Sequence, residues 1–127
     1  MFLDTSIIIE IFRTGKDTKK FEEIYNFIKD EPLFISVIQL GEISDWCLKN
    51  KINPKDRINR LKDILNIIPL SEKVCLEGSK IKYEMRKKRL FKFSLFDGII
   101  LASAQSINQK LLTIDQDFKK AKDVILL

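Results

Sequence analysis

The chain declares its first structural step within six residues. Met1-Phe2-Leu3 supplies two apolar residues after the start, Asp4 follows at once, and then come Thr5-Ser6 and an apolar run of Ile7, Ile8, Ile11 and Phe12 at helical spacing. A short buried strand over 2–4 that ends in an acid, a hydroxyl N-cap and a helix over 5–13 account for that order. In open parallel α/β sheets, ligand chemistry gathers just beyond the carboxyl ends of the strands. Asp4 would stand there, and three further acids can be read as brought to the same edge.

The rest of the chain keeps this rhythm. Arg13-Thr14-Gly15 ends the first helix, with the glycine as its breaker. Asp17-Thr18 caps a second, whose apolar face is Phe21, Ile24, Tyr25, Phe27 and Ile28, before a turn at Asp30-Glu31-Pro32. Leu33–Val37 reads as a buried parallel strand, followed by a helix with Leu40, Ile43, Trp46 and Cys47 on one face. Asn53-Pro54 breaks the pattern. A helix over Pro54–Ile67 then buries Ile58, Leu61, Ile64 and Leu65, and residues 67–70 form a short edge strand, where Pro69 is tolerated. A helix runs from Ser71 toward Lys88, and another from Ser94 to Ile107, with Gly98, Ala102, Ser103 and Ala104 allowing close packing. Lys110–Asp115 reads as a strand ending in an acid, Gln116–Phe118 as a short helix, and Val124–Leu127 as a last strand. Alternating strands and helices argue for an α/β fold: one domain over residues 1–127, with a small, mostly parallel sheet and helices on both faces.

Composition excludes several chemistries. The 127 residues include no histidine and only two cysteines, Cys47 and Cys75, which form no C-x-x-C pair. A zinc finger, a Cys-His pair and a Ser-His-Asp triad are therefore out, and both cysteines read as small core residues in a reducing compartment. Acid–base work near neutral pH falls to carboxylates, lysine or water beside a metal. No apolar run approaches the roughly 20 residues of a membrane span, and strand one begins too early for a signal peptide, so a cytoplasmic location is expected. The balance of 23 basic against 18 acidic residues, net +5, favours a polyanionic partner.

Four acids stand out by context. Asp4 and Asp115 each end a short apolar strand and precede a helix. Glu42 and Asp97 lie in otherwise apolar helical sequence, Val37-Ile38-Gln39-Leu40-Gly41-Glu42-Ile43 and Ser94-Leu95-Phe96-Asp97-Gly98-Ile99-Ile100. Taken singly, Asp4, Asp97 and Asp115 are read most simply as caps or first-turn acids, and Glu42 as a solvated helix residue. Taken together they resist that reading, because unpaired carboxylates near a core boundary cost several kcal/mol. A divalent cation meets that cost for several at once. An oxygen-only donor set favours Mg²⁺ or Mn²⁺ over zinc.

In these segments the chain resembles the PIN domains, most of all the VapC-type toxins of toxin–antitoxin pairs. Phe2-Leu3-Asp4-Thr5-Ser6 and Ile35-Ser36-Val37-Ile38-Gln39-Leu40-Gly41-Glu42 carry the likeness, with Phe96-Asp97-Gly98-Ile99-Ile100-Leu101-Ala102 and Leu112-Thr113-Ile114-Asp115-Gln116-Asp117-Phe118. The four occur in order and span nearly the whole chain. The resemblance implies a three-layer α/β/α fold and a metal-dependent ribonuclease. Asp4, Glu42, Asp97 and Asp115 would be its acidic quartet, with Asp4, Asp97 and Asp115 as the metal core and Mg²⁺ or Mn²⁺ as cofactor. Glu42 would bind through water or orient the attacking water. Asp117 matches a further acid of the last motif, and Thr5, Ser6 and Thr113 are candidate supporting hydroxyls. The family also implies a homodimer neutralised by a small antitoxin. A non-cutting nucleic-acid scaffold, and a nuclease acting on DNA or in RNA processing, are the competing classes.

Binding RNA beside four acids needs cations. Arg86, Lys87, Lys88, Arg89 and Lys92 crowd seven positions just ahead of Asp97, and Arg13 follows the first helix. Phe91 and Phe93, within that run, fit core packing better than stacking on a base.

Overall fold

A computed structural model describes residues 1–127. Five strands are ordered β3-β2-β1-β4-β5, all parallel. They are β1 (Phe2–Leu3), β2 (Phe34–Ser36), β3 (Asn66–Ile68), β4 (Leu111–Thr113) and β5 (Val124–Leu126). Six helices connect them: α1 (Thr5–Arg13), α2 (Lys19–Ile28), α3 (Val37–Lys49), α4 (Pro54–Lys62), α5 (Glu72–Lys87) and α6 (Leu95–Ser106). A single 3-10 turn, Gln116–Phe118, follows β4. No helix is long and apolar enough to cross a membrane.

Strand alternation sorts the core into two layers. Side chains on successive strand residues point to opposite faces. Phe2 and Leu111 pack with Met85, Phe93, Ile100 and Leu101 on the α5–α6 side. Leu3 and Leu112, one residue on, pack with Ile7, Ile8, Ile24, Ile35, Ile43 and Leu61 on the α1–α4 side. Both faces are covered, which is why the central strand positions Phe2, Leu3, Ile35, Leu111 and Leu112 are apolar and fully buried. The result is the expected three-layer α/β/α architecture.

The order of strands positions everything that follows. The chain steps outward from β1 to β2 and β3, then crosses back to place β4 on the other flank of β1. The switch in direction lies between β1 and β4, where Phe2 pairs with Leu111 and Leu3 with Leu112. A crevice opens outside the carboxyl ends of strands at such a point.

Several boundaries differ from the sequence reading. The helix expected over Pro54–Ile67 stops at Lys62, because Asn66 takes up strand pairing and its backbone N–H donates to the Leu33 carbonyl (2.8 Å). The edge strand is accordingly Asn66–Ile68 rather than 67–70. Gly15 is not the breaker of α1. The helix ends at Thr14 in extended conformation, and no glycine of the chain has positive φ. Left-handed residues after α3, α5 and α6 are instead Lys51, Arg89 and Asn108. On α2 only Ile24 is buried, while Tyr25 and Phe27 face solvent. Thr18 caps α2 as expected, and Ser71 and Ser94, where the next helices were expected to begin, cap α5 and α6.

Helices α5 and α6 cross at two glycines. A Cβ on Gly98 would collide with the Gly78 carbonyl oxygen, and one on Gly78 would lie 2.8 Å from Ile99 Cα. Backbone therefore meets backbone one residue from Asp97. Gly41, on α3, has nothing within 4 Å of where its Cβ would stand. Gly98→Ala should lower stability by about 1–3 kcal/mol through overpacking. Gly41→Ala should raise it by roughly 0.5–1 kcal/mol through helix propensity. Urea unfolding of the two variants checks both signs.

Candidate metal centre

Asp4 leaves β1 at the switch point and is almost fully buried. It occupies the N-cap position of α1, yet its side chain makes no cap bond. Its Oδ2 accepts from Ser6 Oγ (2.6 Å) and Thr113 Oγ1 (2.7 Å). Thr113 Oγ1 in turn accepts the Asp115 N–H (3.0 Å), and Ser6 Oγ accepts the Ile114 N–H (3.3 Å). One carboxylate thus ties the end of β1 to the end of β4 and sets the backbone from which Asp115 projects.

Glu42 and Asp97 arrive on the two helices that border this edge, and capping boxes set both helix starts. Ser36 and Gln39 exchange side-chain and backbone bonds at the start of α3, as Ser94 and Asp97 do at the start of α6. Asp97 Oδ2 accepts the Ser94 N–H (2.8 Å), so its capping role is real and leaves its other oxygen free of that bond. Glu42 Oε1 accepts from Thr5 Oγ1 (2.7 Å). Asp115 Oδ1 accepts the Asp117 N–H (2.9 Å), opening the 3-10 turn and turning Asp117 back toward it. Oxygens of Asp97, Asp115 and Asp117 lie within 4.8 Å of one another. Asp4 is outside that trio, and its oxygen serves the two hydroxyls.

Gln39 was not singled out from sequence. It is fully buried; its Oε1 accepts the Ser36 N–H (2.8 Å), and its Nε2 donates to the Leu3 carbonyl (2.8 Å) and to Thr5 Oγ1 (3.3 Å). It fixes the hydroxyl that holds Glu42. The Ser-x-x-Gln capping pattern at 36–39 is the signal that points to it.

The acids carry an electrostatic burden with no protein cation to relieve it. None of Asp4, Glu42, Asp97, Asp115 or Asp117 is in a salt bridge. Burial pushes the Asp97 carboxyl up to about 6, and Asp4 and Asp115 push it the same way against the bonds from Ser94. Asp4 is raised by burial, opposed by Ser6 and Thr113, with Asp115 adding repulsion. Glu42 is raised by burial and, more weakly, by Asp4 and Asp97, against the Thr5 bond. Two oxygens on opposite sides of a hard cation lie about 4–5 Å apart. The spread of the Asp97, Asp115 and Asp117 oxygens therefore fits one divalent ion.

The expected cations divide. Arg86, Lys87, Lys88, Arg89 and Lys92 are all exposed, on the last turn of α5 and the segment that leads into α6, and Arg86 Nε donates to the Phe93 carbonyl (3.2 Å). Lys87 is engaged with Glu84 and with the Tyr83 ring. Arg13 sits at the far end of α1 from Asp4, roughly 13 Å along the axis, and pairs with Glu10. The structure does not bring it to the acids.

The raised carboxyls set the sign of a pH dependence. Asp97 in the folded chain keeps its proton up to about pH 6, whereas in the unfolded chain it loses it near its ordinary 3.8. Between those values the folded state binds more protons, so stability falls as pH rises through the window. Metal-free protein should accordingly lose stability from about pH 4 to pH 7 at this site. Asp97→Asn should reduce the slope, and excess divalent ion, which favours the ionised carboxylates, should oppose it. Thermal unfolding in chelator across that range is the check.

A family model for the PIN domain matches residues 1–124. No curated protein matches the chain in sequence. Among solved structures, a toxin-antitoxin complex from Klebsiella pneumoniae has a chain 24% identical, with a TM-score of 0.75 over 98% of this chain and 94% of that one. VapBC2 from Rickettsia felis, bound to a DNA fragment from its promoter, gives 23% identity and 0.75 over 99% and 96%. VapBC-1 from nontypeable Haemophilus influenzae gives 23% and 0.69 over 99% and 95%. At such identities the likeness is one of fold, and the family model supplies the membership: the chain belongs to the PIN domain family.

Proposed function

We propose that the protein is a metal-dependent endoribonuclease and the toxin of a toxin–antitoxin pair. The observation that carries this reading is the set of uncompensated carboxylates at the switch point of a PIN-family sheet. Asp97, Asp115 and Asp117 would hold Mg²⁺ or Mn²⁺, and Asp4 would position Asp115 through Thr113 and Ser6. When bound, the ion supplies Lewis-acid stabilisation of the phosphodiester and makes nearby water acidic enough to attack at neutral pH.

The chain's own groups do the rest. Glu42 Oε1 is occupied by Thr5 Oγ1, which leaves Oε2 to accept a hydrogen from the attacking water and aim it. Burial pushes the Glu42 carboxyl above its ordinary value, against the bond from Thr5. The exposed Arg86, Lys88, Arg89 and Lys92 offset the repulsion between acids and phosphate backbone. The partner reading rests on the structural relatives, which are complexes of toxin with antitoxin. A small antitoxin and a second copy of this chain are the proposed partners.

Purified protein should cut a mixed RNA pool with Mg²⁺ or Mn²⁺ and stop in EDTA. Asp97→Asn should lower cleavage by at least about a hundredfold, the scale for an electrostatic catalytic group, while the variant folds normally by circular dichroism. Cutting that survives EDTA or Asp97→Asn would refute the metal reading. Folded, metal-loaded protein that binds RNA without cutting would favour the scaffold. Light scattering should give the mass of two chains.

A further inference from the structure

The turn between α5 and α6 displays a side chain for which the fold has no use. The Phe93 N–H donates to the Leu90 carbonyl (3.1 Å), closing a turn with Phe91 and Lys92 at its two central positions. Such positions go mainly to Gly, Pro, Asn, Asp and Ser, each for a backbone reason. A large aromatic there gains nothing from the turn. Leu90 and Phe93 on either side are core residues, and the Phe93 ring meets Phe118 edge-on at 5.2 Å. Phe91, by contrast, is 69% exposed and belongs to no apolar cluster. It meets neither another ring nor a cation. The expectation that both phenylalanines serve the core therefore holds for Phe93 alone.

This turn is braced rather than loose. The Leu90 N–H donates to the Met85 carbonyl (3.2 Å), and Lys88 and Lys120 each donate Nζ to the other's backbone carbonyl (3.4 and 3.0 Å). It is also anchored to the acid-bearing segments. Phe93 leads directly into the Ser94–Asp97 capping box, and its ring partner Phe118 follows Asp117. Arg86, Lys88, Arg89 and Lys92 surround it without an ion pair among them.

We infer that Phe91 is a base-stacking residue that positions an RNA strand at the acid edge, with Lys92 beside it on the phosphate. The inference rests on the reading of that edge as an RNA-cleaving site. An unpaired base presents a free face to an aromatic ring, and stacking of this kind is tolerant of sequence. A duplex keeps its bases stacked inside and offers the basic turn its phosphates only. Phe91 thus acts on unpaired strands, whereas the cations act on either.

The test uses Asp97→Asn protein, in which RNA should be held without being cut. Labelled single-stranded RNA of mixed sequence, and the same strands annealed to complements, are titrated by fluorescence anisotropy. Adding Phe91→Ala should weaken single-strand binding about tenfold, within the range for one lost stack, and leave duplex binding and the melting temperature unchanged. Phe91→Trp should restore the affinity, with emission quenched on binding beyond any change from Trp46. Equal single-strand affinity with and without the Phe91→Ala substitution overturns the inference, as does an equal loss on both RNAs. A drop in molecular mass on Phe91→Ala also overturns it, assigning the ring to a contact between copies of this chain. If Asp97→Asn protein binds no RNA and the unsubstituted protein cuts none, the RNA-cleaving reading itself fails and takes the inference with it.

Discussion

The carboxyl edge of this sheet depends on one buried acid accepting two hydroxyl bonds. Asp4 is nearly sealed from water, and burial pushes its carboxyl above the ordinary value. Ser6 and Thr113 oppose that effect, and their two bonds to one carboxyl oxygen bridge the seam between β1 and β4. Charge-assisted bonds of this sort are shorter and stronger than neutral ones. Here they also have a geometric result, because the same hydroxyls accept the N–H groups of Ile114 and Asp115. Remove the carboxylate and the segment presenting Asp115 loses its anchor as well as its neighbour's charge.

Around that anchor the molecule concentrates like charge where it could have dispersed it. Basic residues outnumber acidic ones by five across the chain, yet none pairs with the edge acids. The arrangement is costly while it stands uncompensated, and a divalent cation would relieve it. Perturbed carboxyls gathered in a cleft are a mark of functional sites, and stability given up there is commonly recovered elsewhere. Two apolar layers, one on each face of the sheet, supply that recovery.

Much of this was legible in the order of residues. Asp4 and Asp115 could be found because a strand, an acid and a helix start are adjacent in the chain. The strand over 66–68 was misplaced because Ile64 and Leu65 continue the spacing of Ile58 and Leu61. Only pairing with Leu33, distant in sequence, tells the chain to leave the helix. Gln39 escaped notice because a buried amide looks like any polar residue until its partners on β1 and at Thr5 are known. The grouping of Asp97 with Asp115 and Asp117 is likewise tertiary. The two phenylalanines of the basic turn are indistinguishable by composition, and a single backbone bond between Phe93 and Leu90 decides which one is buried.

The central place of β1 also governs when the site can exist. β1 leaves its first pairing to β2 and its second to β4, so the bond from Thr113 to Asp4 joins residues 109 positions apart. Contacts of such separation form late and slow the folding of parallel sheets. During synthesis Asp4 must wait, with one flank of its strand open, until β4 has emerged. The acids therefore assemble only after residues 111–117 have been made, and a shorter nascent segment has no means of displaying them together.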